Sequence, residues 1–242
     1  MKFLFDLHTH SIASGHAYST LQENVMAAKE AGLEVYGISD HTGPVNAMGD
    51  IYFKNLKVIP RTIYGVKVLR GAEVNIVGYN GELDLPESIL KRLDYAIASL
   101  HMNVGYTIGT AEENTQAYIQ AMHNPYVKII GHPDDSRFPF EIEPVVKAAK
   151  ETGVLLEVNN SSLKPICGRK GARENIRRML ELCKQYGVRI VVDTDSHISF
   201  DVGQFSEAYE ILTEMDFPEE LIANTSLEHL SWFLNPELIE KL

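Results

Sequence analysis

A short apolar run followed by a helix-patterned segment recurs seven times along this 242-residue chain, and few folds accept that pattern. The apolar runs are residues 3–7, 35–39, 67–76, 95–100, 127–131, 154–158 and 188–192. A capping box read at Ser19 and Gln22 opens the first helix, and Gly32 ends it. Helical spacing returns at 112–122, 142–151, 174–186 and 205–215, and the tail, 221–242, reads as mostly helical. Residues 43–64 read as a long loop with a short helix, and Asn80-Gly81 reads as a turn. Strands that are apolar throughout need cover on both faces, so the pattern predicts an α/β protein with a parallel sheet wrapped by helices. An open doubly wound sheet and a closed barrel both satisfy it.

Composition narrows the partners. With 22 basic and 33 acidic residues the formal charge is −11. A net anion is poorly suited to duplex nucleic acid or to an anionic membrane surface. No apolar run is long enough for a membrane span. The N-terminus reaches Asp6 too early for a secretory leader. Cys167 and Cys183 form no CxxC motif and read as free thiols. The expectation is one cytoplasmic domain over residues 1–242.

Histidine decides between the two sheet architectures. His8 and His10 end the first strand at a spacing of two, which turns both side chains to one face. His16 lies just beyond. His41 ends the second strand, Glu73 lies near the end of the third, His101 ends the fourth and His132 the fifth. Asp195 and His197 end the seventh, again at a spacing of two. An open sheet would string these nine residues along a crevice. A closed barrel gathers them at one mouth, the C-terminal face where barrel enzymes hold their chemistry, so a closed seven-stranded barrel is expected. Imidazole is the commonest side-chain metal ligand, and the set reads as a metal site. His123, after a helix, and His229, in the tail, fall outside the pattern.

The run Asp6-Leu7-His8-Thr9-His10, the later His41, Glu73, His101 and His132, and the closing Asp195-Ser196-His197 resemble the PHP superfamily, the polymerase-and-histidinol-phosphatase group of metallohydrolases. The runs from Ser14 to Thr20 and from Asn159 to Ser162 look like its YcdX-like phosphatase subfamily. The resemblance covers essentially the whole chain. It implies a distorted seven-stranded (β/α) barrel of TIM-like form and three divalent ions, zinc first, with manganese or iron as alternatives. One ion would be held by His8, His10, Glu73 and Asp195, a second by Glu73, His101 and His132, and a third by His16, His41 and His197. It is also compatible with a homo-oligomer, a trimer.

The chemistry expected from such a set is phosphoester hydrolysis by a metal-bound hydroxide acting on a small phosphorylated substrate. Glu73 and Asp195 are the carboxylates at its centre. Three dications against two carboxylates leave a positive centre, so an anionic protein can still draw in phosphate. Asp6 and Asp40, beside ligand histidines, are candidates to accept the second imidazole N–H. Arg61 is the first choice for a phosphate clamp, because a guanidinium binds phosphate bidentately; Arg137, Arg169, Lys170 and Arg173 are the others. Asn159, Ser161 and Ser162 are candidate donors to phosphate. The competing readings are an amidohydrolase, a PHP phosphodiesterase or nuclease acting on nucleotides or short oligonucleotides, and a PHP module that serves only as a scaffold.

Overall fold

The computed structural model describes residues 1–240. Seven parallel strands run in the order β1 (Phe5–Asp6), β2 (Val35–Ile38), β4 (Val66–Asn75), β5 (Tyr95–Ser99), β6 (Val127–Ile130), β7 (Leu155–Asn159) and β8 (Ile190–Asp193). They form the nearly closed barrel that the apolar runs and the strand-end histidines predict. β3 (Thr62–Ile63) stands outside this order; it pairs antiparallel with the start of β4 through a tight turn at Tyr64 and Gly65, both at positive φ. That hairpin was not expected.

Helices α1 (Leu21–Glu30), α4 (Ala111–Met122), α5 (Ile142–Thr152), α7 (Ala172–Tyr186) and α8 (Ser206–Glu214) cover the outside. Shorter helices α2 (Asp50–Asn55), α3 (Glu87–Leu90), α6 (Asn160–Leu163) and α9 (Pro236–Ile239) sit in the connections and the tail. The capping box of α1 lies one residue beyond its predicted place. Thr20 Oγ accepts from the Glu23 amide, and Glu23 Oε2 accepts from the Thr20 amide. The tail is mainly 3-10 turns, with α9 as its one short α-helix among the described residues; its predicted end at 241–242 lies outside them.

Alternate residues of each strand face opposite ways, and this splits the core in two. Outward residues such as Tyr36, Val68, Ile130 and Val192 pack under the helices. Inward residues Phe5, Leu7, Val35, Leu69, Ile97, Ile129, Leu155 and Val191 fill the barrel, and Leu230, Phe233, Leu234 and Leu238 of the tail plug its floor. Each such buried side chain contributes about 1.5–3 kcal/mol. Tyr95 crosses the interior, and its hydroxyl donates to the Leu7 carbonyl at 2.6 Å. Gly37 and Gly71 give it room: a Cβ at Gly71 would lie 2.4 Å from the Tyr95 ring.

The barrel closes between β1 and β8 by side chains rather than by a continuous ladder. Asn224 does most of it: its Oδ1 accepts from Val192 N–H at 2.7 Å, and its Nδ2 donates to the Phe5 and Val192 carbonyls at 2.7 and 2.8 Å. Asp193 Oδ1 accepts from Leu7 N–H at 2.7 Å. Asp6 accepts from the Thr194 amide and hydroxyl and from Gly203 N–H. Above these, the backbones meet directly, His10 N–H donating to the Ser196 carbonyl at 2.9 Å. Asp6 therefore stitches the seam and touches no imidazole, contrary to expectation. Burial pushes its carboxyl up to about 6, against the hydrogen bonds from Thr194 and Gly203.

Replacing Asn224 with Ala strands buried backbone groups on both strands, at about 1–3 kcal/mol for each group left unpaired. The expected outcome is a loss of at least about 2 kcal/mol in urea unfolding. A loss within about 0.5 kcal/mol, the range of ordinary surface substitutions, would show that the seam does not depend on this side chain.

Candidate metal centre

Because all seven strands point the same way, their C-terminal ends form one rim, and the nine predicted residues meet there. Glu73, on β4, is fully buried. Its Oε2 lies 3.2 Å from His8 Nε2, 3.5 Å from His10 Nε2 and 2.7 Å from His41 Nδ1. Its Oε1 lies 2.8 Å from His132 Nε2 and 3.2 Å from His101 Nε2. Asp195 Oδ1 faces His10 Nε2 at 3.1 Å and His8 Nε2 at 3.7 Å. His16 and His197 stand at the open side, their Nε2 atoms 2.8 Å apart. His132 and Asp195 both hold positive φ, 31° and 52°, a conformation that non-glycine residues adopt at a cost and keep where the surroundings enforce it.

The hydrogen bonds behind the rings determine which nitrogen faces inward. His8 Nδ1 donates to Glu157 Oε1 at 2.6 Å, and His101 Nδ1 to Asn75 Oδ1 at 2.7 Å. His16 Nδ1 donates to the Ser14 carbonyl and His197 Nδ1 to the Asp195 carbonyl, each at 3.0 Å. His10 Nδ1 donates to Ser14 Oγ at 3.1 Å, while that hydroxyl donates onward to Asp40 Oδ1 at 2.6 Å. In a neutral imidazole the second nitrogen then carries a lone pair. So the Nε2 atoms of these five rings present lone pairs to one another and to two carboxylates. His8 Nε2, His41 Nδ1 and Glu73 Oε2 are buried there with no hydrogen-bond partner. Orphaned acceptors facing acceptors are unfavourable unless a cation lies between them, so the donor set fits divalent ions. Four overlapping triads have suitable spacing: His10, His41 and His197; His8, His10 and Glu73; His8, His132 and Asp195; His41, Glu73 and His101.

Protonation states agree with that role. Burial would raise the Glu73 and Asp195 carboxyls, yet the surrounding imidazoles, and Arg169 beside Asp195, hold both well below the usual carboxylate range. Burial and the neighbouring rings His41 and His197 hold His10 and His16 below their ordinary value. Burial, helped by Arg169, pushes His132 down to about 4. His8 is the exception: burial opposes its proton, but Glu157, Glu73 and Asp195 together raise it well above the ordinary value.

Several supporting residues escaped the sequence reading. Glu157 receives His8 Nδ1–H on one oxygen and the His132 amide on the other, which makes it a further buried carboxylate supporting this rim. Its signal was available: a charge inside the apolar run 154–158. Asn75 and Ser14 carried no comparable signal. Asp40 was expected against an imidazole; it acts one step back, gripping Ser11 and Ser14. Asn159 and Ser162 are engaged within the protein, Asn159 donating to Asp195 Oδ2 at 3.1 Å and capping α6.

Arg61 is a correction. It pairs with Asp94, just ahead of β5, and its carbonyl accepts from Val68 N–H near the start of β4. It therefore lies at the N-terminal end of the barrel, opposite the histidines, because the unforeseen β3 hairpin folds it downward. The guanidinium at the site is Arg169, which donates to Asp195 Oδ2 at 2.9 Å and to Ser162 Oγ at 3.0 Å. Arg137 pairs with Asp135, and Arg173 with Glu210 and Glu214. His229 stacks on Trp232 in the tail, and His123 ends α4; neither joins the cluster.

Removing the Glu157 charge frees the His8 tautomer. Glu157→Gln is expected to weaken divalent-metal affinity about 10–100-fold, as loss of a carboxylate behind a ligand imidazole generally does. Competition with a chelator of known affinity measures this; an unchanged affinity would remove Glu157 from the metal-holding network.

A family model described as PHP domain matches residues 6–161. The chain is 48% identical over 235 residues to a protein of Acetivibrio thermocellus named probable phosphatase, covering 97% of this chain and 96% of that one. It is 50% identical over 236 residues to a probable phosphatase of Clostridium novyi, covering 97% and 95%. In fold it is similar to a histidinol phosphate phosphatase from Lactococcus lactis, solved with zinc, L-histidinol and phosphate, at a TM-score of 0.63 and 17% identity over 90% of this chain and 95% of that one. With the family model spanning well over half of the sequence and relatives this close along nearly its full length, the chain belongs to the PHP domain family.

Proposed function

We propose that this protein is a metal-dependent phosphatase that hydrolyses a small phosphomonoester. The observation that carries the reading is the convergence of imidazole lone pairs and two ionised carboxylates, with the outer nitrogens protonated against fixed acceptors. The relatives' name, probable phosphatase, supports the same reading. We assign the nine residues to three ions, zinc by preference: His8, His10, Glu73 and Asp195 to one, Glu73, His101 and His132 to another, and His16, His41 and His197 to the third. The division of Glu73, with Oε2 toward His8, His10 and His41 and Oε1 toward His101 and His132, supports its role as a bridge. The triads also leave room for His41 to lie nearer Glu73 than this partition has it.

Divalent ions held by these residues would supply Lewis-acid neutralisation of phosphoryl oxygens and lower the pKa of water to about 7. The protein's own groups do the rest. Glu157, Asn75 and Ser14 orient the rings. Arg169 offers a guanidinium to phosphate beside Asp195, replacing Arg61 in that role. The reaction breaks the ester P–O bond; water supplies the oxygen that joins phosphorus, and the leaving alcohol takes a proton. No nucleophilic side chain is consumed.

Metal content per chain, paired with hydrolysis of a phosphomonoester before and after chelation, tests the reading. About three ions per chain and activity that a chelator abolishes are expected. Fewer than about one ion per chain after reconstitution would overturn it. Glu73→Ala should lose about two ions and His41→Ala about one, by the ligand sharing proposed; equal losses would contradict the bridge. Arg169→Ala should raise the KM for a phosphomonoester about ten-fold or more, with Arg169→Lys a poor rescue because the fork geometry is lost. An unchanged KM in both variants would exclude the clamp.

A further inference from the structure

Ser14 meets three of the cluster histidines at once. It ends the 3-10 turn Ile12–Ser14 and is fully buried. Its Oγ accepts from His10 Nδ1–H and from the His41 amide, each at 3.1 Å, and its carbonyl accepts from His16 Nδ1–H at 3.0 Å. A hydroxyl has one proton and two lone pairs. Both lone pairs are committed to those donors, so the proton is left to point at Asp40 Oδ1, 2.6 Å away. A Ser14 proton turned toward His10 would reverse that bond and put the ring proton on Nε2, the nitrogen that faces Asp195. Asp40 prevents this. It is also fully buried, and its two oxygens accept from four donors: the Ser11 amide, the Ser11 hydroxyl, the Ser14 hydroxyl and, at 2.5 Å, the Tyr52 hydroxyl of α2. Burial and the neighbouring Asp40 carboxylate raise the Tyr52 hydroxyl above its ordinary value, so it stays a donor. The loops that carry His16 and His41 are tied together here. Ala47 N–H donates to the Ala13 carbonyl at 2.9 Å, and Asn46 Nδ2 donates to the His41 carbonyl at 2.8 Å. A Cβ on Gly15, which holds a φ of 78°, would lie 2.9 Å from the Val45 carbonyl.

We propose that Tyr52 is a positioning residue for the outermost ion, acting through Asp40 and Ser14 on His10, His16 and His41. The inference rests on the three-ion assignment above and adds to it the residue that shapes the outer site. That site, His16, His41 and His197, has no carboxylate in its assigned set, and two of its rings stand at the open side on loops. Ligands on loops must be ordered as an ion binds, which weakens binding unless the protein orders them beforehand. The inner ions are gathered around the buried Glu73, and the ion that shares His10 has His8 and two carboxylates besides, so each tolerates a loosened ring better. Without the Tyr52 hydroxyl, Asp40 Oδ2 keeps only the Ser11 hydroxyl. A hydrogen bond to an ionised acceptor is among the stronger kinds, so its loss frees Asp40 to shift and Ser14 to turn. Tyr52 is itself well placed to hold still: its ring packs edge-on against Phe53 at 5.2 Å, and Phe53 belongs to the core. Helix α2 thus braces the metal centre from behind.

Tyr52→Phe keeps the ring and deletes the hydroxyl. Zinc titration of the metal-free full chain against a chelator of known affinity, with elemental analysis after dialysis, reads the ions one by one. Wild type is expected to take up about three. Tyr52→Phe should hold about two as firmly as wild type and the last about ten-fold more weakly, the lower end of what losing support behind a ligand imidazole does. Ser14→Ala should weaken that last ion at least as much, and adding Tyr52→Phe to it should add little, because both act through one chain of hydrogen bonds. Tyr186→Phe is the control: its hydroxyl also donates to a carboxylate, Glu143 Oε1 at 2.5 Å, but on the outer helices, and all its zinc affinities should match wild type. An unchanged last ion in Tyr52→Phe overturns the role. So does an equal weakening of every ion, which marks a general loss of structure, and so do additive losses in the double variant. Each of these leaves the three-ion assignment standing. A wild type that takes up fewer than about three ions overturns that assignment and the inference together; chelator-sensitive hydrolysis of a phosphomonoester by the same protein would still uphold the phosphatase reading.

Discussion

One buried carboxylate organises this molecule. Glu73 is excluded from water and lies within 3.5 Å of nitrogen atoms from five imidazoles. An isolated carboxylate in that position would cost several kcal/mol and would take up a proton instead. Here the ends of four strands, β1, β2, β5 and β6, deliver those five rings around it, and that delivery requires a barrel. The sheet's closure, the loop conformations at His132 and Asp195, and the second row of hydrogen bonds all serve this one point.

The second row has its own physical logic. A ring that can flip or change tautomer is a poor metal ligand, so each inward nitrogen needs a fixed acceptor behind it. Glu157, Asn75, the Ser14 hydroxyl and two backbone carbonyls provide five such acceptors. Those acceptors are themselves held: Asn75 Nδ2 donates to Asp84 Oδ2 at 2.6 Å, and Ser14 donates to Asp40. Moving outward, the network passes from a fully enclosed floor at His8 and Glu73 to the open pair His16 and His197. That gradient leaves the deep end enclosed and the outer end open to solvent.

The seam is where the fold departs from a regular barrel. β1 is short, and no continuous ladder joins it to β8. Asn224, Asp193 and Asp6 supply the missing hydrogen bonds from their side chains. Two carboxylates near the N-terminal histidines therefore carry structure rather than ligand support, and the tail that bears Asn224 also plugs the floor. Site and closure share the same few residues around β1 and β8, so the geometry of His8, His10 and Asp195 depends on the tail.

Local pattern alone determined the architecture and the candidate ligand positions. Apolar runs mark strands, helical spacing marks the cover, and nine histidine and carboxylate positions at strand ends converge once a closed parallel sheet is assumed. These features are periodic or positional, and so are readable one residue at a time. The tertiary structure decided what depends on neighbours distant in sequence. Arg61 and Arg169 look alike as basic residues near loops, but the β3 hairpin turns one to the far end of the barrel, and the β7 loop brings the other to Asp195. Glu157 showed itself only as a charge in a buried strand; that it holds His8, which is 149 positions away, follows from barrel closure. Asp6 and Asp40 sit beside histidines in the chain, yet side-chain direction sent one to the seam and the other to Ser14. Adjacency along the chain sets which residues are available, and the packing of strands against one another sets which of them meet.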